Sequence, residues 1–347
     1  MLSRVANSLY WMSRYIERAE SIARLVDVNL QLLLDFRSLD DDALAAHWLP
    51  IVQSSGDEEL FLRLHPRTNG QTVTQFLVFQ TENSNSIVSS IGQARENARM
   101  VRDQITVELW EEINRLYLFL NSARAGKLWR ESPSDFFHTI KNGSLLLQGL
   151  TDATVVRNEG WFFTQAGRYL ERADKTSRIL DVRHASLPPK GAPTAAPTQA
   201  EALGWAAVLR SCSAWDAYKA LHGAEVQPAL VAEFLLLSDD FPRSVRFCVR
   251  RLDQALRSIS GVAEGRFCND AEKLAGRLLA EFQFSTSDDI FDIGLHHYID
   301  VAQAKLNAIG EALFQAYIFQ PFHTQEEHEL RQQEEQQQQF GPKTELA

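Results

Sequence analysis

Residues 14–28 of this 347-residue chain recur 154 positions later. The run Arg14-Tyr15-Ile16-Glu17-Arg18-Ala19-Glu20 returns as Arg168-Tyr169-Leu170-Glu171-Arg172-Ala173-Asp174. Eight of the fifteen aligned positions are identical. The match extends along the chain in order. Trp48 and Ser54 pair with Trp205 and Ser211 at an offset of 157. Val73, Phe76 and Leu77 pair with Val231, Phe234 and Leu235 at 158, as does Ser86-Ile87 with Ser244-Val245. A unit of this size far exceeds the roughly 20–50 residues of a solenoid repeat. The spacing therefore predicts two similar halves, 1–150 and 151–323, around a pseudo-twofold axis. Their cores, 3–125 and 156–320, would pack as one body.

Sparse Gly and Pro, with apolar residues three to four apart, predict an all-α fold. Expected helices cover 3–37, 41–55, 57–65 and 71–80. A long helix starts near Ser84 or Asn85 and continues toward Leu120. Helices 133–150, 156–184, 201–221, 226–237, 242–260, 268–285 and 287–320 follow. Residues 186–200 are rich in Pro, Ala and Thr and read as a flexible loop. Residues 324–347 are rich in Gln and Glu and read as a disordered tail.

The formal net charge of −10 and pI near 5.4 argue against a nucleic-acid-binding surface. Cys212, Cys248 and Cys268 are odd in number and form no CxxC pair, which fits a reducing, cytoplasmic setting without a disulfide framework. No stretch approaches the ~20 apolar residues that span a bilayer. P-loop, GxGxxG and GxSxG motifs are absent.

The doubled segment carries the chemistry. On a helix, Arg14, Glu17, Arg18 and Ser21 share a face that continues into Leu25, Val28 and Leu32. A charged patch running into an apolar stripe is expected to be covered, and covered charges must be paired. Arg168, Glu171, Arg172 and Lys175 repeat the layout. Two readings fit. The charges form an intramolecular ion-pair network, or the arginines face a cleft and hold an anionic substrate oriented by Glu17 and Glu171. A glutamate flanked by arginines stays ionised, so it would serve as base, orienter or metal ligand rather than as acid. Arg95, Arg99 and Arg102 line the edge of the next long helix. Pro242 and Ser244 suggest a helix start at which Arg243 could help hold an anion. Asp292, His296 and Asp300 are spaced to share a helix face. A hydrogen-bonded histidine is the plainer reading there, and no metal is expected.

These segments resemble the bacterial alpha-E domain family. The resemblance rests on residues 9–20, on Asn85-Ser86-Ile87 with residues 94–99, on Gly167 through Asp174, and on Phe241-Pro242-Arg243-Ser244. It covers roughly residues 1–320, with Ala166 smaller than the apolar residue expected there. It implies an all-helical protein whose gene commonly neighbours, or is fused to, a circularly permuted ATP-grasp protein. A transglutaminase-like cysteine peptidase is often close by. It thus implies amide- or peptide-bond metabolism, with ATP and Mg used by the ATP-grasp partner and no cofactor held by this chain. Carried over residue by residue, the motif marks Glu17 and Glu171 as candidate catalytic groups. It marks Arg14, Arg18, Arg95, Glu96, Arg99, Arg168, Arg172, Arg243 and Ser244 as candidate substrate contacts, expected to meet in one polar cleft. The alternative is a non-catalytic helical partner of the ligase.

Overall fold

The computed structural model describes residues 1–34, 41–183 and 198–319. The expected loop (apart from its last residues, 198–200) and the expected tail lie outside these residues. Among them, all regular structure is helical. The first part of the chain forms α1 (Ser3–Leu34), α2 (Asp41–Ser55), α3 (Glu58–Leu64) and α4 (Gly70–Thr74), which runs into a π-helical turn, Gln75–Phe79. Then come α5 (Ile87–Met100), α6 (Val107–Leu120), α7 (Ala123–Glu131) and α8 (Pro133–Thr154). The rest comprises α9 (Glu159–Asp181), α10 (Gln199–Ser211), α11 (Trp215–His222), α12 (Pro228–Leu237) and α13 (Val245–Ser260). It ends with α14 (Asp270–Phe284), α15 (Ser287–Ile293), α16 (Leu295–Leu313) and a second π turn, Phe314–Ile318.

Several expected helices are divided, each for a local reason. The helix expected to run to Leu120 stops at Met100. It restarts after Thr106, whose side chain accepts from the Leu109 amide and caps α6. Helix 201–221 breaks at Ser213, which takes φ 53°. Helix 287–320 breaks at Gly294, where φ 91° suits only a residue without Cβ. That break puts Asp292 on α15 and His296 on α16, so they do not share a helix. The turn of helix at α7 was not expected. Pro242 does not open α13: Ser244 is its N-cap, as Ser86 is for α5.

The two helices that carry the doubled motif, α1 and α9, pack against each other more extensively than any other pair. Each takes a further helix along its length, α5 on α1 and α13 on α9. Trp48, Phe61, Phe76, Trp205, Tyr218 and Phe282 are among the largest side chains fully buried in the core. Burial of α9 continues through Arg168, Glu171, Arg172 and Asp174, so a helix rich in charge occupies the centre of the molecule. Hydrophobicity alone does not explain that position; the pairing of its charges does.

Candidate functional site

α1 and α9 cross at Gly167. A Cβ there would come within 3.0 Å of the Tyr10 carbonyl oxygen, so only glycine permits this approach. The close crossing brings each Glu-Arg dipeptide within reach of the other. Arg172 grips Glu17 through Nε to Oε1 at 2.8 Å and Nη2 to Oε2 at 2.9 Å. Arg18 grips Glu171 through Nε to Oε1 at 2.6 Å and Nη2 to Oε2 at 3.1 Å. Both are two-pronged contacts that match the planar guanidinium to a carboxylate.

Each carboxylate has a second cation. Arg14 Nε lies 2.7 Å from Glu171, and Arg243 Nη1 lies 2.9 Å from Glu17. Arg243 also reaches Glu20 at 2.6 Å, and Arg24 holds Glu20 from one turn away. Arg178 holds Asp174 in the same i, i+4 manner. Gln148 joins the network by donating to Glu17 and Glu20 and accepting from Arg172. Arg168 borders Glu17 and extends to Asp152 at 3.5 Å. Arg18 spends its remaining arm on Asn85, which donates to Asp57.

Glu17 is 1% exposed and Glu171 is fully buried. Burial alone would raise the Glu17 carboxyl, but Arg172 and Arg243 outweigh it and hold the group at about 2. Burial acts the same way on Glu171, and Arg14, Arg18 and Lys175 hold that group well below the usual carboxylate range. Both glutamates are therefore anions at neutral pH, each already engaged by two arginines. The cavity beside Glu17 measures about 20 Å³, as does the one beside Lys175 and Asn85. Each has room for a water molecule, whereas a small-molecule site needs roughly 300 Å³.

The expected convergence thus holds for Arg14, Glu17, Arg18, Arg168, Glu171, Arg172 and Arg243, in a packed interior rather than an open cleft. It does not extend to the other candidates. Arg95 donates to Asn114 and Glu96 and lies over the Tyr117 ring. Arg99 pairs with Glu96 on the same exposed edge. Ser244 spends its hydroxyl on the Ser238 carbonyl and the Phe247 amide, as the N-cap of α13. Glu20 was legible as the partner of Asp174 in the repeat but was not singled out. Gln148 lies outside the repeat and carried no signal.

Among the described residues, the ligand types close enough to hold a cation are Asp181, His296 and Asp300, with their atoms within 4.8 Å of one another. His296 Nδ1 lies 2.8 Å from Asp181 and Nε2 lies 3.4 Å from Asp300. Asp181, with Asp300 in support, raises the histidine's proton affinity.

The profile of the Alpha-E family, described as a predicted alpha-helical domain with a conserved ER motif, matches residues 1–318. In this chain that dipeptide occurs as Glu17-Arg18 and Glu171-Arg172. An uncharacterized protein of Mycobacterium bovis is 24% identical over 279 residues, covering 74% of this chain and 30% of the relative. Uncharacterized proteins from two Mycobacterium tuberculosis strains match to the same extent. The chain thus spans under a third of the length of these relatives. No solved structure matches it.

Proposed function

The chain belongs to the Alpha-E family, and from that premise we propose that it is a non-catalytic helical partner of an ATP-grasp ligase that forms amide or peptide bonds. Its Glu-Arg dipeptides hold two pseudo-equivalent halves of one duplicated domain together. They do not perform the chemistry. ATP and Mg are bound by the ligase, a transglutaminase-like peptidase works in the same system, and the setting is cytoplasmic.

One observation carries this reading. Glu17 and Glu171 are each saturated by two arginines, and the cavity beside Glu17 has space for a single water only. A catalytic base needs a free lone pair and a substrate within about 3 Å. The crossed exchange of Glu17 with Arg172 and of Arg18 with Glu171 supports the duplicated arrangement. So does the parallel placement of α5 on α1 and of α13 on α9. More than two thirds of each mycobacterial relative lies outside the matched segment, which supports a module that works beside other domains or chains. No helix among the described residues is long and apolar enough to cross a membrane.

The test is co-purification with the neighbouring ATP-grasp protein, followed by ATP hydrolysis with and without this chain. Arg172→Gln should lower the melting temperature while the folded fraction still supports the ligase. Loss of that support in a variant that melts like the parent would point instead to a substrate-binding cluster.

A further inference from the structure

Beside Arg14, at the edge of the buried network, lies a cavity of about 380 Å³, walled by α1, α9, α16 and the second π turn. Its size falls in the usual range for small-molecule sites, roughly 300–1,000 Å³. Two donors on its α1 wall are unspent. Arg14 uses Nε on Glu171 and Nη1 on the Tyr10 hydroxyl, which leaves Nη2 without a partner among the described residues. Tyr10 accepts that bond and is 2% exposed, but its own proton meets no acceptor among the described residues. Burial raises the Tyr10 phenol, so that proton stays in place.

Gly310 faces the bonded Tyr10–Arg14 pair without a side chain. A Cβ there would stand 3.5 Å from the Tyr10 hydroxyl and 3.9 Å from Arg14 Nη1, the arm that bonds it. Two adjacent unspent donors, one of them charged, call for an anionic acceptor with two oxygens. The cavity also has an acidic wall. Asp174 is occupied by Arg178 and Lys175. Glu311, one residue beyond Gly310, is exposed and has no ion pair among the described residues. Trp11 and Phe314 supply apolar surface in the same cavity.

We propose that this cavity binds a small zwitterion, a free amino acid or a short peptide. Its carboxylate is taken by Arg14 and Tyr10, its ammonium by Glu311, and its side chain by Trp11 and Phe314. The site shares Arg14 with the buried exchange, through the arm that does not bind Glu171, and does not depend on an ATP-grasp partner.

Calorimetric titration of the full chain tests this with four probes: phenylalanine, Ala-Phe, N-acetyl-Ala-Phe and Ala-Phe amide. Binding of phenylalanine alone identifies a free amino acid, and stronger binding of Ala-Phe identifies a peptide. Acetylation and amidation should each weaken Ala-Phe by about tenfold or more, the effect of losing one charged hydrogen bond. Glu311→Gln should erase the acetylation penalty and keep the amidation penalty. Asn307→Trp places bulk on an exposed lining residue and should abolish binding with the melting temperature unchanged. Absence of binding by phenylalanine and Ala-Phe, equal affinity for the charged and blocked peptides, or binding that survives Asn307→Trp would each overturn the proposal.

Discussion

Glu17 of α1 is held by Arg172 of α9 through two parallel hydrogen bonds of 2.8 and 2.9 Å. The neighbouring residue in each dipeptide returns the contact, Arg18 to Glu171. Burying such charges is costly, and pairing offsets the cost only while every member is present. The network therefore confers register more than stability. Sliding α1 along α9 by one residue would strand several buried charges at once.

Glu171→Ala should be among the most destabilising single changes in the chain. It leaves Arg14 and Arg18 facing each other with no anion between them. A loss of about 3–5 kcal/mol is expected, the usual effect of breaking a buried pair. Urea denaturation measures it, and a loss below about 1 kcal/mol, the worth of a surface pair, would mean that the network is not buried in solution.

Two glycines should respond in opposite directions. Gly167→Ala pushes a methyl group into the Tyr10 carbonyl and should cost at least about 1–3 kcal/mol by forcing α1 and α9 apart. Gly149 in α8 meets nothing within 4 Å of an added Cβ. Gly149→Ala should stabilise by about 0.5–1 kcal/mol through helix propensity. Denaturation midpoints of the two variants, compared with the parent, decide the matter.

Acid should unfold the protein through Glu17 and Glu171. Both carboxyls are depressed in the folded state, Glu17 from 4.5 to about 2. Their contribution is complete above about pH 4.5 and is lost as the pH falls toward 2. Circular dichroism across that window should show cooperative loss of helix. A Glu17→Gln variant should be less stable than the parent at neutral pH and should show a weaker dependence in the window.

His296 should act in the opposite sense. Its folded-state pKa lies above the ordinary 6.5, chiefly through the Asp181 hydrogen bond. Its tie between the ends of α9 and α16 is complete below pH 6.5 and loosens as the pH rises through the raised value. Because the side chain is about half exposed, the effect is local and small. Hydrogen-exchange protection at the start of α16, corrected for the intrinsic rise of exchange with pH, should fall as the pH rises through the raised value in the parent and show no such step in His296→Asn. Elemental analysis of the purified chain should find no stoichiometric zinc, iron or manganese. One ion per chain would displace this ion-pair account.

The all-helical class was legible in the apolar spacing. The central pair of helices was legible in the repeat, because a charged face that runs into an apolar stripe has to be covered. Helix breaks at Ser213 and Gly294 were hidden, since periodicity continues across a break that depends on one backbone angle. Which arginine meets which glutamate was a tertiary decision. Within one helix, Glu17 has Arg14 three residues before it and Arg18 beside it, and local spacing favours the former. Only the close approach at Gly167 puts the other helix's guanidinium nearer and in better alignment. The same packing sent Arg95 and Arg99 to an outer edge and left only water-sized space beside Glu17. It also left the unspent arm of Arg14 facing a cavity built from α16, some 300 residues away in sequence. Sequence shows which residues must find partners; the crossing of α1 and α9 decides which partners they find, because a charge pair needs ångström-scale alignment that residue order does not encode.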